Sequence, residues 1–415
     1  MRLNGWRITL AAGALGMLCA CGSGGQSGEA SPIAGALPAA GPRMAAAVRP
    51  AAAHRMSVPT CTGAGTGSFI GGGTNNVAGA SSSAILGGDY GLVCMGESGV
   101  GAGVGNTISS SQNAGDSFIA GGYNGPITGG SNGSFIGGGE SNDLNVTGVG
   151  NGFAAIGAGQ YNVVNGSMAF IGAGQYNVVA GANGFVGGGQ ANKVPGAWGV
   201  VGGGYGNQAA EIATVPGGKY NLATGEGSFA AGIGSTAGYA GDFVWSDFAS
   251  GATALKGTAA NQFLARASGG VTFYSSANLK SGVKLAAGSG TWASLSDRNA
   301  KSAIVPVSDD DILAKVSTLP ISEWSYTTER GVRHVGPMAQ DFYAAFNVGE
   351  DDRHITSIDE DGVALAAIKA LDARVERRDA MLDARLAEKD ARIDALQRQM
   401  AKLAAEVGAL RDSRR

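Results

Sequence analysis

The chain has 415 residues, 73 of them glycine, and a formal charge of −3. That glycine content is far above the usual share of about 7 %, yet no Gly-X-Y period runs through it and proline is scarce, which excludes collagen. The near-neutral balance, with no Lys/Arg stripe ahead of residue 250, gives no reason to expect a nucleic-acid-binding surface, while 44 % hydrophobic residues suffice to bury a core.

Residues 1–21 read as an export signal. Arg2 and Arg7 supply its positive region, and Ile8–Leu18 an apolar run too short to span a bilayer. It ends in Leu18-Cys19-Ala20-Cys21, which resembles a bacterial lipobox with Cys21 as the lipidated residue. An ordinary cleaved signal peptide is the alternative. Residues 22–60 are rich in Ala, Gly, Pro and Ser and read as a disordered tether. Beyond it stand Cys61 and Cys94, which in an exported protein either pair as a disulfide or remain two free thiols. They occupy different phases of the repeat that follows.

From residue 61 to 240 a short unit recurs. IGGGTNNVA starts at Ile70, IGAGQYNVV at both Ile156 and Ile171, VGGGQANKV at Val186 and VGGGYGNQA at Val201, with a dominant spacing of 15 residues. A fixed short period signals a solenoid, because each unit is too small to bury its own apolar face. Asn recurs at the seventh position, at Asn76, Asn106, Asn142, Asn162, Asn177, Asn192, Asn207 and Asn221. Gly and Asn tolerate left-handed backbone at tight corners, and stacked units would align the Asn side chains into a ladder. Phe69, Phe118, Phe135, Phe170 and Phe185 precede their units and would form a core or second ladder, or else a ligand-binding strip. Eleven copies at about 4.8 Å each would extend about 50 Å. The array resembles the head domain of trimeric autotransporter adhesins. That resemblance implies a mainly β fold, a left-handed parallel β-roll in which three chains associate.

Residues 241–291 lose the unit and read as short strands forming a neck, with Trp245, Phe263, Phe273, Tyr274 and Trp292 as its core. Residues 292–371 are a charged α+β domain. Trp324 and Tyr326 fall in a strand, Val335–Phe346 is a turn followed by a helix, and Asp359–Leu371 opens a second helix. Residues 372–415 continue it as a coiled coil. Leu365, Leu386, Ile393, Met400 and Val407 fall at position a of an unbroken heptad phase, and Ile368, Val375, Leu382, Leu396, Leu403 and Leu410 at position d. Asp372, Asp379 and Lys389 are polar positions in the same seam.

Ser294–Lys301, reading SLSDRNAK, lies at the junction of these halves. With the later Gly-Pro-Met-Ala-Gln and the acidic IDEDGVALAAIKAL, it resembles the endosialidase-type intramolecular chaperone domain found at the C-termini of phage tail spikes and fibres. The resemblance implies that Ser296 is a nucleophile, Lys301 its general base, and Leu295–Ser296 the bond broken. A lysine acts as a base only when neutral, which burial or nearby positive charge favours. On a regular helix an offset of five turns the second side chain by about 140° from the first, so either the segment is irregular or the pair forms between chains. Outside this context Ser296 would be a helix N-cap and Lys301 a solvated charge. His54, His334 and His354 have no metal-ligand spacing, and no cofactor is implied.

Together these features describe a trimeric, adhesin-like surface lipoprotein anchored in an outer membrane through Cys21. Its head meets a host surface or glycan, and its C-terminal domain drives trimer assembly and then cuts itself off after Leu295. The alternative is a phage-derived tail fibre or spike whose roll binds or degrades a polysaccharide. An export signal argues against that alternative, because phage fibres assemble in the cytoplasm.

Overall fold

The computed structural model describes residues 61, 63–109, 115–130, 132–146, 152–249 and 252–413. The export signal, Cys21, the tether and His54 lie outside them. The chain divides into two compact units, 1–266 and 267–415.

The first unit is a parallel β-solenoid. Each of the eleven copies gives one short strand to a first sheet, from Phe69–Ile70 to Phe229–Gly232. The ladder does not stop at 240. Phe243–Ser246 and Phe263–Arg266 pair in parallel and extend that sheet to 13 strands. Residues 241–266, expected in the neck, therefore belong to the solenoid: they lost the Gly-rich consensus and kept the apolar alternation that pairing needs. A second sheet of 12 parallel strands runs from Val77–Ala78 to Leu255–Lys256. Within each two-residue strand one side chain points inward and one outward. Ile85, Ile119 and Ile171 from the first sheet and Ile108, Ile127 and Val179 from the second are fully buried between them.

All the seventh-position Asn residues but the first, Asn76, are buried, and none makes the left-handed corners. Those belong to the residue before each, such as Asn75, Tyr161, Tyr176 and Tyr220 at φ 56 to 57°. Each Asn instead serves as an internal strut. Asn177 Nδ2 donates to Gly189 O at 2.9 Å and to Asn162 Oδ1 at 3.0 Å, and its own Oδ1 accepts from Asn192 N at 3.0 Å. Buried backbone at a corner must find partners, and the amide supplies them in both axial directions. The phenylalanines lie on the outer face and form no core, in a column that Ala84, Gly99 and Ala155 interrupt. Phe170 and Phe185 pair and stack at 5.7 Å, each 39 % exposed.

Cys61 and Cys94 are joined by a disulfide. The bond passes the position of Gly79, where a Cβ would lie 2.6 Å from Cys61 Sγ. A glycine there lets residues of different phase meet across an intervening turn.

The second unit begins with a three-stranded antiparallel sheet of Val271–Tyr274, Gly282–Leu285 and Trp292–Ser294. Phe273, Tyr274 and Trp292 are all more than half exposed, so the expected neck core is not formed within one chain. Helix α1 (Asp309–Thr318) follows, capped by Ser308. Ser322–Trp324 and His334–Gly336 make a small hairpin, with Tyr326 in the loop that joins the strands rather than in a strand. Helix α2 (Ala339–Phe346) buries Phe342 and Phe346, and α3 runs unbroken from Ser357 to Asp412. Ion pairs Asp309–Lys369 at 2.6 Å and Asp310–Arg377 at 3.4 Å hold α1 on the side of α3 where Ala367 and Ala370 are buried. The heptad seam faces elsewhere: Leu365, Ile368, Leu386, Leu396 and Leu403 are all at least half exposed. No helix among the described residues is long and apolar enough to cross a membrane.

Candidate active site at the Ser296–Lys301 turn

The third strand of the sheet delivers the site. Leu295 N–H donates to Gly282 O at 3.1 Å, so the ladder holds the chain up to the residue before Ser296. Asp297 then caps a single 3-10 turn, Arg298–Ala300. Its Oδ1 accepts from Asn299 N at 2.9 Å and from Asn299 Nδ2 at 3.1 Å. The turn closes through Ala300 N to Asp297 O at 3.0 Å and Lys301 N to Arg298 O at 3.2 Å. Lys301 leaves it extended, at φ −113° and ψ 152°.

This geometry brings Lys301 Nζ to 2.7 Å from Ser296 Oγ, donating to it. The helical offset that separates the two is avoided because the intervening backbone is one tight turn followed by an extended residue. The pair forms within one chain. A neutral lysine at that distance can take the Ser296 proton while Oγ attacks the Leu295 carbonyl carbon. Such an attack would break the Leu295–Ser296 amide, Lys301 passing the proton to the nitrogen that becomes the free amine of Ser296, and water would then hydrolyse the ester between Leu295 and Oγ to a carboxylate and a hydroxyl.

Both side chains are exposed in a single chain. So are the apolar residues around them in sequence: Trp292 is 54 %, Leu295 47 %, Ile304 64 % and Val305 76 % exposed. His334 is engaged elsewhere. Its ring stacks on Trp324 at 4.7 Å and its Nε2 lies 3.0 Å from Glu329 Oε2. His354 meets Asp351, whose carboxyl is held below its usual value by the Arg353 N–H and then by His354. Among the described residues no group of three or more His, Cys, Asp or Glu could hold a metal ion. Spacing alone gives Asp297 no role; the signal for it is an acidic residue directly ahead of a segment too short for a helix.

The solenoid surface carries a second feature that the period did not announce. Tyr123, Glu140, Gln160, Gln175, Gln190, Tyr205 and Lys219 follow one another in an outward column of parallel bridges. Gln175 and Gln190 each donate their side-chain amide to the glutamine one turn back, at 3.0 and 3.1 Å. The hydrogen bond from Tyr161 to Glu140, with the charge of that carboxylate, pushes the Tyr161 hydroxyl above its usual value.

The family model described as chaperone of endosialidase, a peptidase family, matches residues 296–348. These residues are an endosialidase-type chaperone domain following a β-solenoid. The match begins at Ser296, the residue of the proposed nucleophile. Such domains are typical of phage tail fibres and spikes and typically act in trimeric fibres. A search of curated proteins finds no match to the chain.

Proposed function

We propose that the chain is a trimeric fibre- or spike-like protein whose C-terminal domain aligns three parallel chains and then severs itself between Leu295 and Ser296. The observation that carries this reading is the 2.7 Å contact between Lys301 Nζ and Ser296 Oγ, set at the first residue of the matched chaperone segment. The need for an aligning domain lies in the repeat. Identical units at Ile156 and Ile171 can pair one turn out of register at little penalty, and three chains multiply the wrong choices. Once the chains are aligned and zipped, the aligning domain is dispensable, and the solenoid is held by its own unfolding barrier.

Assembly also supplies what one chain lacks. Covering the exposed Trp292, Leu295, Ile304 and Val305 with neighbouring chains would exclude bulk water from the Ser296–Lys301 pair. Cleavage then follows assembly in time.

The solenoid, in this reading, meets a polysaccharide. A second reading places the protein on a bacterial outer membrane as an adhesin-like lipoprotein. It rests on Arg2, Arg7, the apolar run Ile8–Leu18 and Cys21. Cys21→Ser distinguishes the two: a move from the membrane fraction to the soluble one supports the anchor, and unchanged fractionation removes it.

The central test is a denaturing gel. Wild type should give two bands, the smaller beginning Ser-Asp-Arg-Asn on N-terminal sequencing. Ser296→Ala and Lys301→Ala should each leave one full-length band. Wild type that stays whole after folding would reduce the domain to a chaperone without peptidase activity.

A further inference from the structure

We infer that Asp297 is the positioning residue of the Ser296–Lys301 pair, acting through the turn it caps; the inference rests on the self-cleavage proposed above. Five extended residues would hold the two Cα atoms roughly 17 Å apart, whereas the observed side chains touch. What closes that span is one 3-10 turn with two backbone hydrogen bonds, Ala300 N to Asp297 O and Lys301 N to Arg298 O. A single turn fixes several dihedrals for few bonds and does not sustain itself in water.

The two backbone bonds of the turn do not use the Asn299 N–H, and Asp297 Oδ1 takes it. The same oxygen takes the Asn299 side-chain amide. Asp297 thus fastens the middle of the turn from its first residue. Every residue from Leu295 to Val307 is exposed, so no packing in the single chain replaces this bond. Without it Lys301 is free to leave Ser296. An N-cap of this kind is worth about 0.5–2 kcal/mol, which corresponds to a loss of roughly two- to thirtyfold in the fraction of chains with the pair in place.

Three variants of the full chain test this, with trimer content checked by light scattering. Asp297→Ala should slow cleavage by roughly tenfold while leaving the midpoint of its pH–rate profile unmoved, because geometry is lost and the base is unchanged. Asp297→Asn keeps a side-chain oxygen acceptor and should cleave within about threefold of wild type. Ser308→Ala, which removes the cap of α1 instead, should leave the rate unchanged. Wild-type rates in Asp297→Ala would overturn the inference. So would an Asp297→Asn variant as slow as Asp297→Ala, which would mean that the carboxylate charge acts and the cap does not.

A second readout does not depend on cleavage. In a Ser296→Cys background the ammonium of Lys301 beside the thiol favours the thiolate, and alkylation by iodoacetamide, followed on the peptide containing residue 296, reports their contact. Adding Asp297→Ala should slow alkylation several-fold, and adding Asp297→Asn should not. Equal alkylation rates in all three would overturn the positioning role. If wild type stays uncleaved while alkylation responds to Asp297, the positioning role stands and the peptidase reading falls.

Discussion

In the solenoid, Ile119, Ile127 and Leu144 have no exposed surface within a single chain, whereas the buried residues described in 267–415 are Phe342, Phe346, Ala367 and Ala370. The first region finishes its core alone, turn by turn. The second leaves Trp292, Ile304, Val305, Val335 and the α3 seam in water. Contiguous exposed apolar surface marks an interaction site, and a heptad seam calls for partner helices of the same kind. On the trimeric reading proposed above, the difference would explain why a chain with a self-sufficient solenoid carries an assembly domain: the solenoid core closes within one chain, and the exposed C-terminal surfaces would be covered only by neighbours.

The largest expected effect comes from breaking the dependent region. Leu396→Asp with Leu403→Asp places carboxylates at two d positions of α3. In a three-chain bundle that buries six unpaired charges, each strongly unfavourable. Light scattering should show a mass near one third of wild type, and cleavage should slow with it. Far-ultraviolet circular dichroism of the β signal should change little, because the solenoid core does not use α3. An intact trimer in this variant would refute the division of labour.

A smaller effect should follow inside the self-sufficient region. Asn177→Ala removes a side chain that donates to Gly189 O and Asn162 Oδ1 and accepts from Asn192 N. Each buried group left without a partner costs about 1–3 kcal/mol. In a solenoid each turn contacts only its neighbours, so the loss should stay local. Hydrogen exchange should quicken in the turns around Asn162, Asn177 and Asn192 and remain unchanged near Ile85. Acceleration spread evenly over the whole unit would mean that the solenoid unfolds as one body.

Much of this was legible in the sequence, and the failures have physical causes. The 15-residue period exposed the solenoid because every turn repeats the same burial problem. Its end was misplaced because Phe243–Ser246 and Phe263–Arg266 keep strand alternation without the glycine consensus. Residue preference points the Asn column to left-handed corners, yet the corner falls one residue earlier, where Tyr161 and Tyr176 accept φ 56°. There burial of the amide ladder outweighed the backbone preference. Phase arithmetic leaves the pairing of Cys61 with Cys94 open, because it does not reveal that Gly79 makes room between turns. The neck aromatics were expected in a core, which is a property of a fold completed by one chain. At the site, residue spacing showed that a regular helix was impossible, but not that Asp297 and one 3-10 turn would resolve it.

The smallest expected effect tests how completely the solenoid wall excludes water. Asp143 sits on the second sheet opposite Val163, with neighbouring Leu144 opposite Ile127 and Val164. Burial there raises its carboxyl above the ordinary 3.8. The folded chain therefore holds the proton more tightly than the unfolded one. Well below pH 3.8 the group is protonated in both states, and its stabilising share is fully present. That share is lost as pH rises through the folded value, so at neutral pH the ionised carboxylate weakens the fold. Asp143→Asn removes the charge and keeps the shape. Its melting temperature should exceed wild type at pH 7, and the gap should narrow towards about pH 3. A gap of the same size at both pH values would trace the gain to packing, and the wall of the solenoid would then be wetter at this turn than its neighbours imply.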